Sequence, residues 1–168
     1  YFGMGAYLFD SDLSPRVKTI YEYSRQAYNI LGMVNRGCSP ARDPAFFQAP
    51  WLFWRAKKQE NIEAVEETAF RWFLTALKRE PDFIFYFFPT IDLLTHENHK
   101  NHEKVVRAYE RLDRYIGKME LALKEAGLAD ETCWILASDH GHAEVKNHFD
   151  LGCLIDVYYI DVIAKSNR

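Results

Sequence analysis

Histidine is missing from the first 95 residues of this chain, so any imidazole chemistry it carries must come from the second half. Cysteine is scarce as well. Cys38, Cys133 and Cys153 are an odd number at wide spacing with no C-x-x-C pair, which argues against a disulfide framework or a zinc ribbon. They read as reduced, buried small hydrophobes. There is no excess of positive charge: a formal net charge of -3 provides no sequence-wide basic field, so nucleic acid is not expected as a scaffold-type partner. Long apolar runs are also lacking. Phe83–Phe88 and Cys133–Ala137 are too short to cross a bilayer, and the first residues lack the basic start and apolar stretch of a signal peptide. No membrane attachment is expected, and together with the unpaired cysteine this favours the cytoplasm. The chain opens Tyr-Phe-Gly without an initiator Met and stops at Lys-Ser-Asn-Arg soon after an apolar run, which suggests a piece of a longer protein.

What is present is core material. With 48% hydrophobic and 15% aromatic residues over 168 positions, the chain can bury the interior of a single domain. Val17, Ile20, Tyr21 and Ser24 recur at helical spacing, with Pro15 suited to a first turn, and predict a helix over 13–27. The run YNILGMV, closed by Asn35-Arg36-Gly37, predicts a buried strand. Residues 38–60 carry three prolines and five aromatics without a period, an irregular segment or lid. Ile62, Val65, Ala69, Trp72 or Phe73, and Leu77 mark one buried face of a helix over 61–79, which Pro81 stops. FIFYFF follows as a strand covered on both faces. A long helix then places Val105, Tyr109, Leu112, Ile116, Met119 and Leu123 on one stripe and ends at Gly127. TCWILA, 132–137, predicts another buried strand, and VYYIDVIA near the end is ambiguous in type. The alternation of strands and helices specifies an α/β domain with a mainly parallel sheet flanked by helices.

Two acid–histidine groups follow the strands at Phe83 and Thr132. Asp92 and His96, four residues apart, share a face if the segment makes a helical turn. Asp139 and His140 are adjacent and converge only where the chain turns, which Gly141 permits. Parallel strands return the chain in one direction, so both groups are expected at the same sheet edge, where open α/β sheets bind ligands. Carboxylate plus imidazole suits zinc, with manganese or iron as alternatives. His99 and His102 continue a rhythm from His96 and read as a solvated helix start. His142 is close enough in sequence to the Asp139–His140 pair to touch a substrate phosphate or a metal-bound water. His148 has no distinguishing context.

FIFYFFPTIDLLTHENH, followed some forty residues later by CWILASDHGH, resembles the type I phosphodiesterase and nucleotide pyrophosphatase group of the alkaline phosphatase superfamily. TIYEYSRQAYNILGMV is similar to the helix–strand unit that precedes these motifs in the group, although the usual Gly of its turn is absent. The resemblance covers roughly residues 15–150. It implies an alkaline-phosphatase-like core, here incomplete, with two divalent metal ions, Zn2+ or Mn2+. Asp92 and His96 would match two ligands of one ion, which a downstream His completes in the family. Asp139 and His140 would match two ligands of the other, completed there by an upstream Asp and the Thr or Ser nucleophile. Neither that upstream pair nor the downstream His is found in this chain. The implied parent is a binuclear metal-dependent hydrolase of a small phosphate ester or nucleotide, working through a covalent phospho-Thr or phospho-Ser, while the 168 residues alone are expected to be inactive. The alternatives are a non-catalytic fragment or binding module, or a phosphomutase or phosphonate hydrolase branch.

Overall fold

A computed structural model describes residues 9–38, 42, 62–99, 101–147 and 149. The chain falls into two compact units, Tyr1–Ala137 and Ser138–Arg168. The first holds all the regular structure described: helix α1 (Phe9–Asp12), strand β1 (Ala27–Ile30), helix α2 (Ile62–Leu77), strand β2 (Phe83–Tyr86), helix α3 (Thr90–Glu97) and helix α4 (Glu103–Glu125), with short 3-10 turns at Ile20–Tyr23 and Ala129–Glu131. Most of 38–60, His148 and the VYYIDVIA run lie outside the described residues.

β1 and β2 pair in parallel, with Ala27 opposite Phe83 and Ile30 opposite Tyr86. Asp82 fixes the start of this pairing: its Oδ2 accepts from the N–H groups of Arg25 and Gln26, both at 3.1 Å. At the far end the Phe87 N–H donates to the Ile30 carbonyl at 2.9 Å and carries the ladder one step beyond the strands. Because strand side chains alternate, Ile30, Ile84 and Tyr86 share the face that meets the core, and Asn29, Phe83 and Phe85 share the other.

α2 forms where its apolar period specified, burying Ile62, Val65, Ala69, Phe73 and Leu77. It ends before Pro81 through Glu80, which takes a left-handed φ of 50°. α4 buries Val105, Ala108, Tyr115, Met119 and Leu123 against it. Its end is built by Gly127 at φ 70°: the Gly127 N–H reaches the Lys124 carbonyl at 3.1 Å and the Leu128 N–H the Leu123 carbonyl at 2.9 Å. That is a Schellman ending, which satisfies carbonyls the helix leaves open. Between the two helices lies a buried ion pair: Glu66 is only 2% exposed and accepts from Arg111 at 2.9 and 3.4 Å. Neighbouring Glu67 meets the Tyr115 hydroxyl at 3.3 Å.

The structure corrects several expectations. No helix spans 13–27. Arg36 is the reason: its guanidinium donates to the carbonyls of Leu13, at 3.1 Å, and of Ser14 and Val17, oxygens that a helix would have paired with its own N–H groups. Glu22 adds a further tie, accepting from the Arg36 Nε at 3.2 Å and the Thr19 N–H at 2.7 Å. The strand expected in YNILGMV begins one residue earlier and stops at Ile30, where Leu31 turns to a φ of 65°. β2 is covered on one face and partly open on the other, with Phe85 at 38% exposure. The stripe of α4 is rotated, so that Ala108 and Tyr115 are buried while Tyr109 faces solvent. Thr132–Ala137 joins no strand ladder among the described residues, and Trp134, Ile135 and Leu136 are exposed. A β pattern records a side chain's preference for a pleated surface, whereas a strand exists only with a partner to supply its backbone hydrogen bonds. Of the cysteines among the described residues, Cys133 is exposed and Cys38 only half-buried, so neither is the buried small hydrophobe expected.

Candidate metal centre

β2 leads through Phe87, Phe88 and Pro89 directly into α3. Pro89 at the cap position, with a φ of -76°, is already suited to start a helix. The first turn places Asp92 and the last turn His96, and the 3.6-residue repeat stacks them on one face: Asp92 Oδ1 and His96 Nε2 are 3.3 Å apart. The opposite face is anchored. Leu94 is buried in the core, and Asn98 closes the helix by donating to the Leu94 carbonyl from its backbone N–H at 2.9 Å and from Nδ2 at 2.8 Å. The pair is thereby held on a packed element, with the His96 side chain 64% exposed and that of Asp92 37%, its Oδ1 buried. A carboxylate oxygen and an imidazole nitrogen this close can serve one cation as two adjacent ligands.

His99 and His102 behave as the helix start expected of them. Their rings sit edge to face at 5.6 Å, and His102 caps α4 by accepting the Lys104 N–H on Nδ1 at 3.2 Å. That bond requires an unprotonated Nδ1.

The second unit holds the other pair. The chain turns at Ser138–Gly141, as the adjacency of Asp139 and His140 requires, and brings Asp139 Oδ2 to 3.6 Å from His140 Nε2. The turn closes on itself: the His140 N–H donates to Asp139 Oδ1 at 3.0 Å and the Ser138 hydroxyl to the His140 carbonyl at 2.6 Å. His140 Nδ1 lies 3.1 Å from the Gly141 carbonyl. A carbonyl can only accept, so this contact places the ring proton on Nδ1 and leaves the Nε2 lone pair for a ligand. The His142 ring lies 5.2 Å from that of His140 at 63°.

Each acid–imidazole pair read from the sequence is thus assembled locally, Asp92 with His96 in the first unit and Asp139 with His140 in the second. Sequence reasoning passed over Asn29, a fully buried amide at the end of β1. Its signal was a lone polar residue inside an apolar run. It also passed over the Glu66–Arg111 pair, whose signal was an acid lying beside the buried stripe of α2.

A family model described as type I phosphodiesterase / nucleotide pyrophosphatase matches residues 14–166. No curated protein and no solved structure matches the chain.

Proposed function

The chain belongs to the type I phosphodiesterase / nucleotide pyrophosphatase family, a family of phosphate-ester hydrolases, and on that premise we propose that its two acid–imidazole pairs are ligands of a binuclear zinc centre. Asp92 and His96 hold one ion and Asp139 and His140 the other, with manganese as the alternative metal. The substrate is a small phosphodiester or nucleotide. The single observation that carries the reading is the 3.3 Å approach of Asp92 and His96 on a short helix issuing from the carboxyl end of a parallel strand. That is where open α/β sheets place ligand sites, and the donor set suits zinc.

When bound, the two ions supply Lewis-acid stabilisation of phosphoryl charge and of the oxygens that attack and leave. The chain's own residues set the geometry for this. α3, fixed by Leu94 and closed by Asn98, holds the Asp92 and His96 donors at a constant spacing. The Gly141 carbonyl keeps the proton of His140 on Nδ1, so that Nε2 faces its ligand in the correct tautomer. His142 donates to a phosphoryl oxygen. No residue of the chain is assigned as the nucleophile, so on this reading the chain binds metal and phosphate without turning esters over.

Calorimetric titration with Zn2+ tests the proposal. Saturable binding is expected, and Asp92→Asn or His96→Ala should weaken it by more than the roughly 10–100-fold lost when only a group orienting a ligand is removed. Equal zinc affinity in wild type and both variants would remove the centre from α3.

A further inference from the structure

Helix α4 starts at a histidine, a capping residue whose acceptor a single proton can remove. The His102 carbonyl accepts the N–H groups of Val105 at 2.9 Å and Val106 at 3.1 Å, and its own N–H donates to the His99 carbonyl at 2.9 Å. Its Nδ1 accepts the Lys104 N–H at 3.2 Å, one of the donors that a helix start leaves without a partner in the helix. The oxygens of Ser, Thr, Asn and Asp, which usually fill this place, keep their lone pairs in mildly acidic water. An imidazole does not. Because Nδ1 is the acceptor, the neutral ring carries its proton on Nε2, so a second proton can go only to Nδ1, where it deletes the cap.

The surroundings set that proton against the capped turn. It would stand at the positive end of the α4 dipole, a place that favours anions. The ring facing His102 from the α3–α4 connection is that of His99, 5.6 Å away, a second group that becomes cationic over the same range. On α4 itself, Lys104 adds positive charge, and the neighbouring Glu103 carboxylate is engaged by Arg107. No carboxylate among the described residues makes an ion pair with the His102 ring. The turn held by the cap is the one that enters the core: Val105 is 1% exposed, and the chain arrives there directly from α3.

We propose that His102 is a pH-operated latch on the α3–α4 junction: when neutral it caps α4, and when protonated it releases the Lys104 N–H and lets the first turn of α4 fray. The direction follows from linkage. The frayed turn takes up a proton that the capped turn excludes, so the cap is complete above the range in which imidazoles protonate, centred at about 6.5, and is lost as pH falls through it. This inference stands apart from the metal-centre reading, in which His102 is not a ligand.

Nitrogen and carbon NMR of the full 168-residue chain, followed from about pH 8 down to about pH 5, tests the latch. At the upper end the His102 ring should show a bare Nδ1 and a protonated Nε2, the tautomer opposite to that of His140. As pH falls, the Cα shifts of residues 103–106 should leave their helical values. Exchange of the Lys104 N–H, corrected for its intrinsic pH dependence, should accelerate by about 5-fold or more, the worth of a helix cap. The Leu128 amide at the other end of α4 should not respond. His102→Asn supplies a cap that does not titrate and should abolish the response, whereas His99→Gln should retain it. Zinc is omitted, because acid weakens any imidazole ligand. A His102 proton on Nδ1 at the upper end, a first turn that keeps its shifts in acid, or a response that persists in His102→Asn or vanishes in His99→Gln overturns the latch. So does a change that spreads to Leu128, which would report acid unfolding of the whole helix.

Discussion

The two acid–imidazole pairs reach similar spacings by different means. Asp92 and His96 are set by a helical repeat whose far side is buried, so their geometry is inherited from the core of the first unit. Asp139 and His140 are set by a turn in which hydrogen bonds close within Ser138–Gly141. A site on a packed element is stabilised by everything that stabilises the scaffold and is exposed to every defect in it. A site on a turn closed by local bonds depends less on the scaffold, and those bonds are open to water. Mutations that injure the core should therefore separate the two pairs.

The sharpest separation is expected from Arg111→Met. It leaves Glu66 buried at 2% exposure without its counter-charge, and breaking such a pair from one side costs about 3–5 kcal/mol. Denaturant unfolding should show this loss in the first unit, with zinc affinity at Asp92 and His96 falling in parallel. The proton position on His140, read by nitrogen NMR, should not change. Replacing both partners, as Glu66→Leu with Arg111→Met, should recover most of the stability, because a well-packed apolar pair carries no desolvation debt. An Arg111→Met protein as stable as wild type would mean that the ion pair does not join α2 to α4.

Leu94→Ala comes next. Truncating a leucine at 4% exposure costs about 2–5 kcal/mol by lost transfer energy plus the cavity left behind. The defect lies directly beneath the Asp92–His96 face, so zinc affinity should fall further, for a given loss of stability, than in the Arg111 variant. Equal losses per unit of stability would show that α3 responds to the scaffold as a whole and not to its own anchor.

Alkaline unfolding tests the scaffold by a different route. Burial, reinforced by Glu67 and Glu66, pushes the Tyr115 hydroxyl from 10.0 up to about 12, and burial raises that of Tyr86 further still. A raised tyrosine pKa means that the folded state keeps a proton which the unfolded state releases. Stability is therefore complete below about pH 10 and declines as pH climbs through the window up to about 12. Phenolate absorbance should lag behind that of a free tyrosine and then rise together with unfolding. Tyr115→Phe should flatten the decline. The second pair contains no tyrosine, so its turn should respond only through the general loss of the fold.

The sequence made some of this legible and hid the rest for a physical reason. Helices α2 and α4 and strand β2 were readable because their signals are local: a 3.6-residue apolar period, a Pro-Asp stop, a run of large apolar residues. The Asp92–His96 face was readable because four-residue spacing on a helix leaves little freedom. The region 13–27 was misread because its carbonyls are satisfied by Arg36, a partner from well beyond the window in which a period is counted. TCWILA was misread because a ladder partner is likewise not a local property. The amide grip of Asn29 and Asn35 on the Leu31–Val34 turn needed coordinates, since nothing in YNILGMV says which way the asparagine faces. Where a residue's role depended on its own neighbours it could be read, and where it depended on a distant donor it could not.

The smallest effect expected is also the most discriminating for the turn-borne pair. Ser138→Ala deletes a hydroxyl that donates to the His140 carbonyl at 2.6 Å on an exposed loop. Surface changes of this kind stay within about 0.5 kcal/mol of wild-type stability, so the unfolding curve should be almost superimposable on the original. The turn itself loses one of its closures, and the Asp139–His140 contact should loosen. This is measurable as a wider spread of His140 ring environments and a drop of several-fold in zinc affinity at that pair, with the Asp92–His96 pair unaffected. If the variant instead lowered stability by as much as a core truncation, the turn could not be the locally closed unit its hydrogen bonds describe, and the contrast between the two pairs would collapse.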